Sequence, residues 1–217
     1  MPRFAEVVIA CFGLLVSLPV LLVAAVAIKM TSRGPTLFRQ ARVGLGGYPF
    51  TLFKLRTMKM ERRGTQVTAK GDVRVTPIGR LLRFLKIDEL PGLWNVIRGD
   101  MGLVGPRPEV PEFVDSSDPR WRRVLQVRPG LTDPVTLRLR NEEELMASVA
   151  EDHESFYRDT LLPYKLRGYS TYLDERTWMT DLRVLWQTLV AVVKPSSAPA
   201  PSLEEIRTSR PNGQGQL

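Results

Sequence analysis

Apolar and polar residues follow three rhythms along this chain, and each predicts a different kind of element. Val7 to Ile28 (VVIACFGLLVSLPVLLVAAVAI) is an unbroken apolar run of 22 residues without a charge. As a helix it reaches roughly 33 Å, enough for the ~30 Å hydrocarbon core of a bilayer. A signal peptide fits poorly: the run is too long, only Arg3 and the amino terminus precede it, and no small-x-small cleavage site follows. Residues 1–30 are therefore expected to stay in the membrane. Pro19 stands near the middle of the run, with Ser17 two residues before it. An interior proline removes a backbone hydrogen bond and kinks the helix, and in lipid the freed carbonyl needs a partner such as a hydroxyl. A kinked spanning helix and a re-entrant helix that returns to its own face both meet this demand. Lys29, Arg33, Arg39 and Arg42 follow the run, which places the next domain in the cytoplasm. The re-entrant form, kinked around Ser17 and Pro19, satisfies the proline and the flank together.

Alternation with period two comes next. TLFRQARVG and PFTLFKLRT flank LGGY, the pattern of a β-hairpin with a loop longer than two residues. Met60 to Val75 is polar and irregular and reads as a loop. The third rhythm is helical. Thr76-Pro77 opens a helix with Ile78, Leu81, Leu82 and Leu85 on one face and Arg80, Arg83 and Lys86 around the rest, facing either the core or the headgroup layer. Asp88-Glu89-Leu90-Pro91 starts another, carrying Leu93, Trp94 and Ile97 and ended by Gly99. Three turn-rich stretches follow, GDMGLVGPRPE, DSSDP and RPGLTDP. Helical patterns resume at 142–150, 154–166 and 178–193; in the last, Trp178, Leu182, Leu185, Trp186, Leu189 and Val193 form an apolar stripe, either core or surface. The expected organisation is a membrane helix over 1–30, a cytoplasmic domain over 31–193 and, by composition, a disordered tail over 194–217.

Composition removes several chemistries. The single cysteine, Cys11, lies in the apolar run, which excludes a disulfide framework and a multi-cysteine zinc site. The single histidine, His153, stands among acidic residues and reads as a surface residue. The formal charge of +8 is unevenly placed: Lys29 to Arg98 holds fifteen Lys/Arg against four Asp/Glu. Such a block suits an anionic partner, whether nucleic acid, phosphate-bearing substrate or acidic lipid. Phe38, Tyr48, Phe50 and Phe53 alternate like a strand face and form no stacking platform, so no nucleic-acid partner is expected.

Unusual residues concentrate in KLRTM (54–58), RFLKIDELPGLWNVIRGDMGLVGPRPE (83–109) and VRPGLTD (127–133). With the N-terminal apolar helix, these segments resemble the bacterial sugar transferase family of monotopic polyprenyl-phosphate phosphoglycosyl transferases, in its small stand-alone form. The resemblance runs in order and spacing over nearly all of 1–193.

The residues suit that chemistry on their own terms. A diphosphate ester repels an incoming anion, so a site must bring cations before a nucleophile. Lys54, Arg56, Arg83 and Arg107 supply cations, the arginines as planar forks and the lysine as a point charge. Of the adjacent carboxylates Asp88 and Glu89, one attacks phosphorus and the other helps hold a divalent cation that bridges phosphate oxygens. The resemblance assigns the covalent nucleophile to Asp88 and metal assistance to Glu89, with Mg²⁺ or Mn²⁺ as the ion. It implies a nucleotide diphosphate sugar, with UDP expected, and polyprenyl (undecaprenyl) phosphate as substrates, membrane lipids as partners, and the cytoplasmic face of the bacterial inner membrane as the location. The implied fold is a small α/β, mostly helical domain with a short β-hairpin, surface amphipathic helices and an N-terminal re-entrant membrane helix. A non-catalytic membrane scaffold is the competing reading, and it leaves the carboxylate pair without a use.

Two positions depart from the family pattern. After Arg128-Pro129-Gly130-Leu131-Thr132, where many members continue with a glycine and a run ending Gln-Val-Asn-Gly, this chain reads DPVTLRLRNEEE. The role of Asp133 and the identity of the sugar are therefore open. An aspartate is expected near Tyr169, for which Asp174 is a candidate substitute.

Overall fold

The structure, a computed structural model, describes residues 1–59 and 67–208. Helix α1 runs through Pro19 from Arg3–Thr31. The Ser17 hydroxyl donates to the Leu14 carbonyl at 3.1 Å. The carbonyl that Pro19 deprives of its usual donor is that of Leu15, so the hydroxyl serves the neighbouring group and not the freed one.

Both ends of α1 are tied to the same body. At the start, Arg3 Nη1 donates to the Met101 carbonyl at 2.9 Å, Nη2 donates to the Val96 carbonyl, and Glu6 Oε1 accepts from Leu103 N–H at 3.3 Å. At the end, Arg56 donates to the Arg33 carbonyl at 2.6 Å and to the Ser32 carbonyl and hydroxyl at 2.9 Å each. These bonds hold the chain just past the helix end, at its C-cap Ser32 and at Arg33. Ala10 and Leu14 pack with Leu93 and Met101, and Ala24 and Ile28 with Leu55 and Leu82. Between the two contacts, Leu15, Val16, Leu18 and Val20 are exposed.

The expected hairpin forms from β1 (Leu37–Val43) and β2 (Pro49–Leu55), antiparallel, with Gln40 opposite Leu52 and Phe38 opposite Lys54. Its loop turns through Gly46 and Gly47, both at positive φ (68° and 81°), which favours glycine. Residues 60–66 of the expected loop lie outside the described residues. Helix α2 (Pro77–Phe84) starts as its sequence predicts, with the Thr76 hydroxyl accepting from Gly79 N–H at 3.0 Å. A side chain at position 79 would put its Cβ 2.0 Å from the Thr57 carbonyl oxygen, so only glycine lets α2 lie against the KLRTM strand end. The apolar face of α2 is divided: Leu82 is buried, while Leu81, Phe84 and Leu85 are exposed.

Asp88 and Glu89 belong to a tight 3-10 turn, Ile87–Glu89, and the α-helix proper, α3, begins later at Gly92–Arg98. Two of the stretches expected to be turns contain short strands, β3 (Gly102–Val104) and β4 (Gly130–Thr132), which pair in parallel. Strands of three residues are too short to show a period. A Cβ on Gly130 would lie 2.1 Å from the Gly105 nitrogen, so a glycine lets the two segments approach. Around them lie α4 (Pro119–Val124), α5 (Pro134–Arg138), α6 (Glu142–Ala147) and α7 (His153–Phe156). Helix α7 continues through a widened π turn, Tyr157–Leu161, into α8 (Leu162–Asp174). Pro163, lacking an N–H, accounts for the widening.

Helix α9 (Trp178–Val193) has its expected bounds and a Thr177–Thr180 capping box. It buries Asp181, Val184 and Ala191, while Trp178, Leu182, Trp186, Leu189 and Val193 stay exposed, so the stripe is surface and not core. The largest core cluster joins α4 to α8 around Met146, Phe156, Leu161, Leu166 and Tyr169. Contrary to a disordered tail over 194–217, α10 (Leu203–Thr208) folds back onto this core: Ile206 is fully buried and Arg138 pairs with Glu205 at 2.8 Å. One well-placed isoleucine and two ionic partners outweigh a disorder-like composition. Residues 209–217 lie outside the described ones.

Candidate active site

The face of the hairpin that carries Gln40, Arg42, Leu52 and Lys54 looks onto the turn Ile87–Glu89 and onto the Pro106-Arg107-Pro108 segment after β3. A small pocket opens between them, lined by Arg42, Lys54, Glu89, Arg107, Met101 and Leu131, among others. Glu89 organises its floor. Arg107 grips it with both nitrogens, Nη2 to Oε1 at 2.5 Å and Nη1 to Oε2 at 3.1 Å, and Lys54 Nζ donates to Oε1 at 3.2 Å. Burial alone would raise the Glu89 pKa, but Arg107 and Lys54 hold it well below the usual carboxylate range.

Asp88, the next residue back, is in the opposite condition. Its Oδ1 is buried with no hydrogen-bond partner among the described residues. Burial, and secondly the Glu89 charge, push its carboxyl up to about 6, against Lys54, Lys86 and Arg83. Lys86, immediately before the turn, has a positive φ of 57°, uncommon for a residue with a side chain. That conformation ends α2 and begins the turn from which Glu89 lines the cavity, with Asp88 buried next to it. The site thus holds two adjacent carboxylates in contrasting states, one neutralised by two cations and one with a buried oxygen that has no partner among the described residues. This contrast is the usual mark of divided chemical roles.

The other cations expected here have different duties. Arg56 is 3% exposed and its guanidinium is committed to the end of α1, which withdraws it from the phosphate-binding set. Arg83 lies beside Asp88 but donates to the Thr57 hydroxyl at 2.9 Å and to Glu143 at 2.5 Å. Lys86 donates to the Arg140 carbonyl at 2.9 Å, so the acidic segment after α5 lies along this side of the site. Asp133 is fully buried and caps α5, accepting from Val135 N–H at 2.7 Å, Thr136 N–H at 3.0 Å and the Thr136 hydroxyl at 2.5 Å. Asp174 is exposed and bonded to Arg123, away from the cavity, so it does not substitute for an acid at 169. Tyr169 is buried, its hydroxyl without a hydrogen-bond partner, and burial followed by the Asp133 charge pushes its pKa far up.

Arg42 is the lining residue that the motifs did not reveal. The signal was available: with period two and this hairpin pairing, Arg42 shares a face with Lys54. Among the described residues, no three His, Cys, Asp or Glu side chains cluster as a metal cage. Mg²⁺ needs none, since it binds through one or two carboxylates plus substrate phosphates. The buried Oδ1 of Asp88, without a partner among the described residues and next to Glu89, fits such a donor set.

Comparison with known proteins agrees on one family. Residues 1–195 match the bacterial sugar transferase profile. A UDP-glucose:undecaprenyl-phosphate glucose-1-phosphate transferase of Caulobacter vibrioides is 38% identical over 202 residues, 90% of this chain and 71% of that protein. A UDP-N-acetylgalactosamine-undecaprenyl-phosphate N-acetylgalactosaminephosphotransferase of Aeromonas hydrophila is 42% identical over 135 residues, 60% of this chain and 32% of its own. An undecaprenyl-phosphate glucose phosphotransferase of Komagataeibacter xylinus is 49% identical over 128 residues, 55% of this chain and 24% of its own. The match to the last two therefore covers only about a third of their length or less.

Proposed function

Because the chain belongs to the bacterial sugar transferase family, we propose that it moves a sugar-1-phosphate from a UDP-sugar to undecaprenyl phosphate through a covalent intermediate on Asp88. The observation that carries this reading is the unpartnered, buried Asp88 oxygen beside a Glu89 already neutralised by Arg107 and Lys54. An Asp88 carboxylate oxygen bonds to the phosphorus that bears the sugar. The bond from that phosphorus to the bridging oxygen breaks, and uridine monophosphate leaves. Undecaprenyl phosphate then attacks the same phosphorus and frees Asp88. Lys54 and Arg107 offset charge on the transferred phosphoryl group, and a covalent step keeps two highly charged substrates from sharing the site at one time. Mg²⁺ or Mn²⁺, held by Glu89 with Asp88, would supply further neutralisation of phosphate oxygens. The relatives differ in the sugar their names carry, glucose in one case and N-acetylgalactosamine in another, so the sugar is a question for assay.

The test uses purified protein in nanodiscs with undecaprenyl phosphate and a panel of nucleotide-sugars. Uridine monophosphate is the expected first product, and turnover is lost in excess EDTA. UDP as the first product, or full activity in EDTA, would overturn the mechanism.

A pH dependence follows from the state of Asp88. The nucleophile must be ionised, and burial beside Glu89 puts its pKa at about 6. The single-turnover burst of uridine monophosphate is expected to level off above pH 7 and to fall as pH drops through 6. A burst unchanged from pH 5 to 8 would assign the attack to another group.

For the membrane, the re-entrant arrangement is supported by α1 being fastened at both ends to one body while its middle stays exposed. The exposed Leu81, Phe84, Trp94, Trp178, Trp186 and Leu189 supply apolar and tryptophan side chains suited to the interface. With Pro2→Cys and Ser202→Cys in a Cys11→Ser background, neither site should react with a membrane-impermeant thiol reagent on intact cells. Labelling of position 2 alone would establish a spanning helix.

A further inference from the structure

The cavity holds a third cation, Arg42, beside Lys54 and Arg107. Arg42 projects from β1 onto the same wall as Lys54 and Arg107. Its guanidinium is fixed on three sides: Nε and Nη2 donate to Gln40 Oε1 at 3.1 and 2.8 Å, and Nη1 donates to the Pro108 carbonyl at 2.9 Å. Glu109 Oε2 stands 3.5 Å from Nη1. Glu109 is itself buried and held, by the Tyr157 hydroxyl at 2.5 Å and by Lys165 at 3.8 Å. The arginine is therefore preorganised by its own strand and by the Pro108-Glu109 segment while it lines the cavity. A guanidinium has five N–H donors, of which the three bonds described use three.

Its place relative to Asp88 is informative. In the hairpin Phe38 stands opposite Lys54, and Arg42 lies two same-face positions farther along β1, opposite Phe50. Lys54 reaches Glu89, next to Asp88, so Arg42 stands farther along this wall than the cation nearest the acidic pair. In a phosphoryl displacement the attacking and leaving oxygens stand roughly in line. The leaving phosphate must then lie on the side of the reacting phosphorus away from Asp88.

We propose that Arg42 is a phosphate-binding residue for the leaving group, gripping the nucleoside-side phosphate of the donor while Gln40, Pro108 and Glu109 hold it in place. This rests on Asp88 as nucleophile. When the bridging P–O bond breaks, its electron pair stays on the bridging oxygen, and negative charge grows on the departing nucleoside monophosphate. Arg42 offsets that charge as it forms and also sets how tightly the product is retained. The second half-reaction involves no nucleoside phosphate, so Arg42 has no part in it.

The experiment has two arms on the full chain in nanodiscs. In the first, uridine monophosphate is titrated calorimetrically into wild type, Arg42→Lys and Arg42→Ala. Affinity is expected to fall about tenfold or more in Arg42→Ala, the scale of a lost charge-assisted bond, with Arg42→Lys between. In the second, formation of the phospho-sugar enzyme and its discharge by undecaprenyl phosphate are timed separately. Formation should slow in Arg42→Ala and discharge should not. Unchanged nucleotide affinity, or equal slowing of both half-reactions, overturns the proposal. If Arg42→Ala does not fold, Arg42→Lys decides, because it keeps a cation against Glu109 and loses only the fork. The titration needs no turnover, so a wild type that binds uridine monophosphate through Arg42 yet forms no intermediate would refute the Asp88 mechanism alone.

Discussion

Asp88→Asn is expected to remove both half-reactions, with turnover falling at least about a thousandfold, while the fold and donor binding persist. Loss of an essential covalent nucleophile is among the largest single-residue effects in enzymes. Asparagine keeps the size of the side chain and cannot form the acyl phosphate. The substitution should be benign for stability, because the buried Asp88 Oδ1 makes no hydrogen bond that would be lost, and an amide carries no charge to desolvate. It should also relieve the repulsion that Asp88 and Glu89 exert on each other. Thermal midpoint and donor affinity are therefore expected to stay level or rise while activity disappears, a combination that a structural residue does not produce. The decisive measurement is mass spectrometry of the peptide containing Ile87 to Trp94 after incubation with nucleotide-sugar alone: the adduct should be present on wild type and absent from Asp88→Asn. Substantial residual turnover in the variant would mean direct transfer between substrates.

Much of this site could be read before the structure, and the reasons for the rest are physical. Elements with a strong local period or cap were legible: the hairpin from its alternation, α2 from Thr76-Pro77, and α9 from its heptad-like stripe. The neighbourhood of Asp88, Glu89, Lys54 and Arg107 was legible because the motifs occur together. Partner choice was not. Lys54 lies on β2, whereas Arg56, two residues on, lies just past its end, where the carbonyls of Ser32 and Arg33 after α1 hold it. Arg83 stands near Asp88, yet Glu143, from a distant segment, holds its guanidinium. Parallel pairing of β3 with β4 depends on a close approach of glycines that no periodicity records. Nor does composition foretell that one residue, Ile206, pins the expected tail to the core.

Arg107→Lys is expected to cost about 10²-fold or more in kcat, the scale seen when one preorganised donor to developing charge is removed. Charge is retained, so an effect of this size would come from geometry. Arg107 meets both oxygens of Glu89 in a planar fork, and an ammonium can meet them only as a point. With the fork gone, the burial that opposes ionisation of Glu89 is less well answered, and its pKa should rise from its depressed value toward the ordinary carboxylate range. A Glu89 pKa in that range still leaves it ionised near pH 6, so its push on Asp88 persists and the pKa governing the burst should stay at about 6. The rate plateau should therefore drop while its pH midpoint holds. Glu89→Gln should instead lower the midpoint, because it removes the charge that repels the Asp88 carboxylate. In the double variant the midpoint should match that of Glu89→Gln alone, because no carboxylate remains at 89. The same rate loss in Arg107→Lys and Arg107→Ala would reduce Arg107 to a structural clamp on its loop.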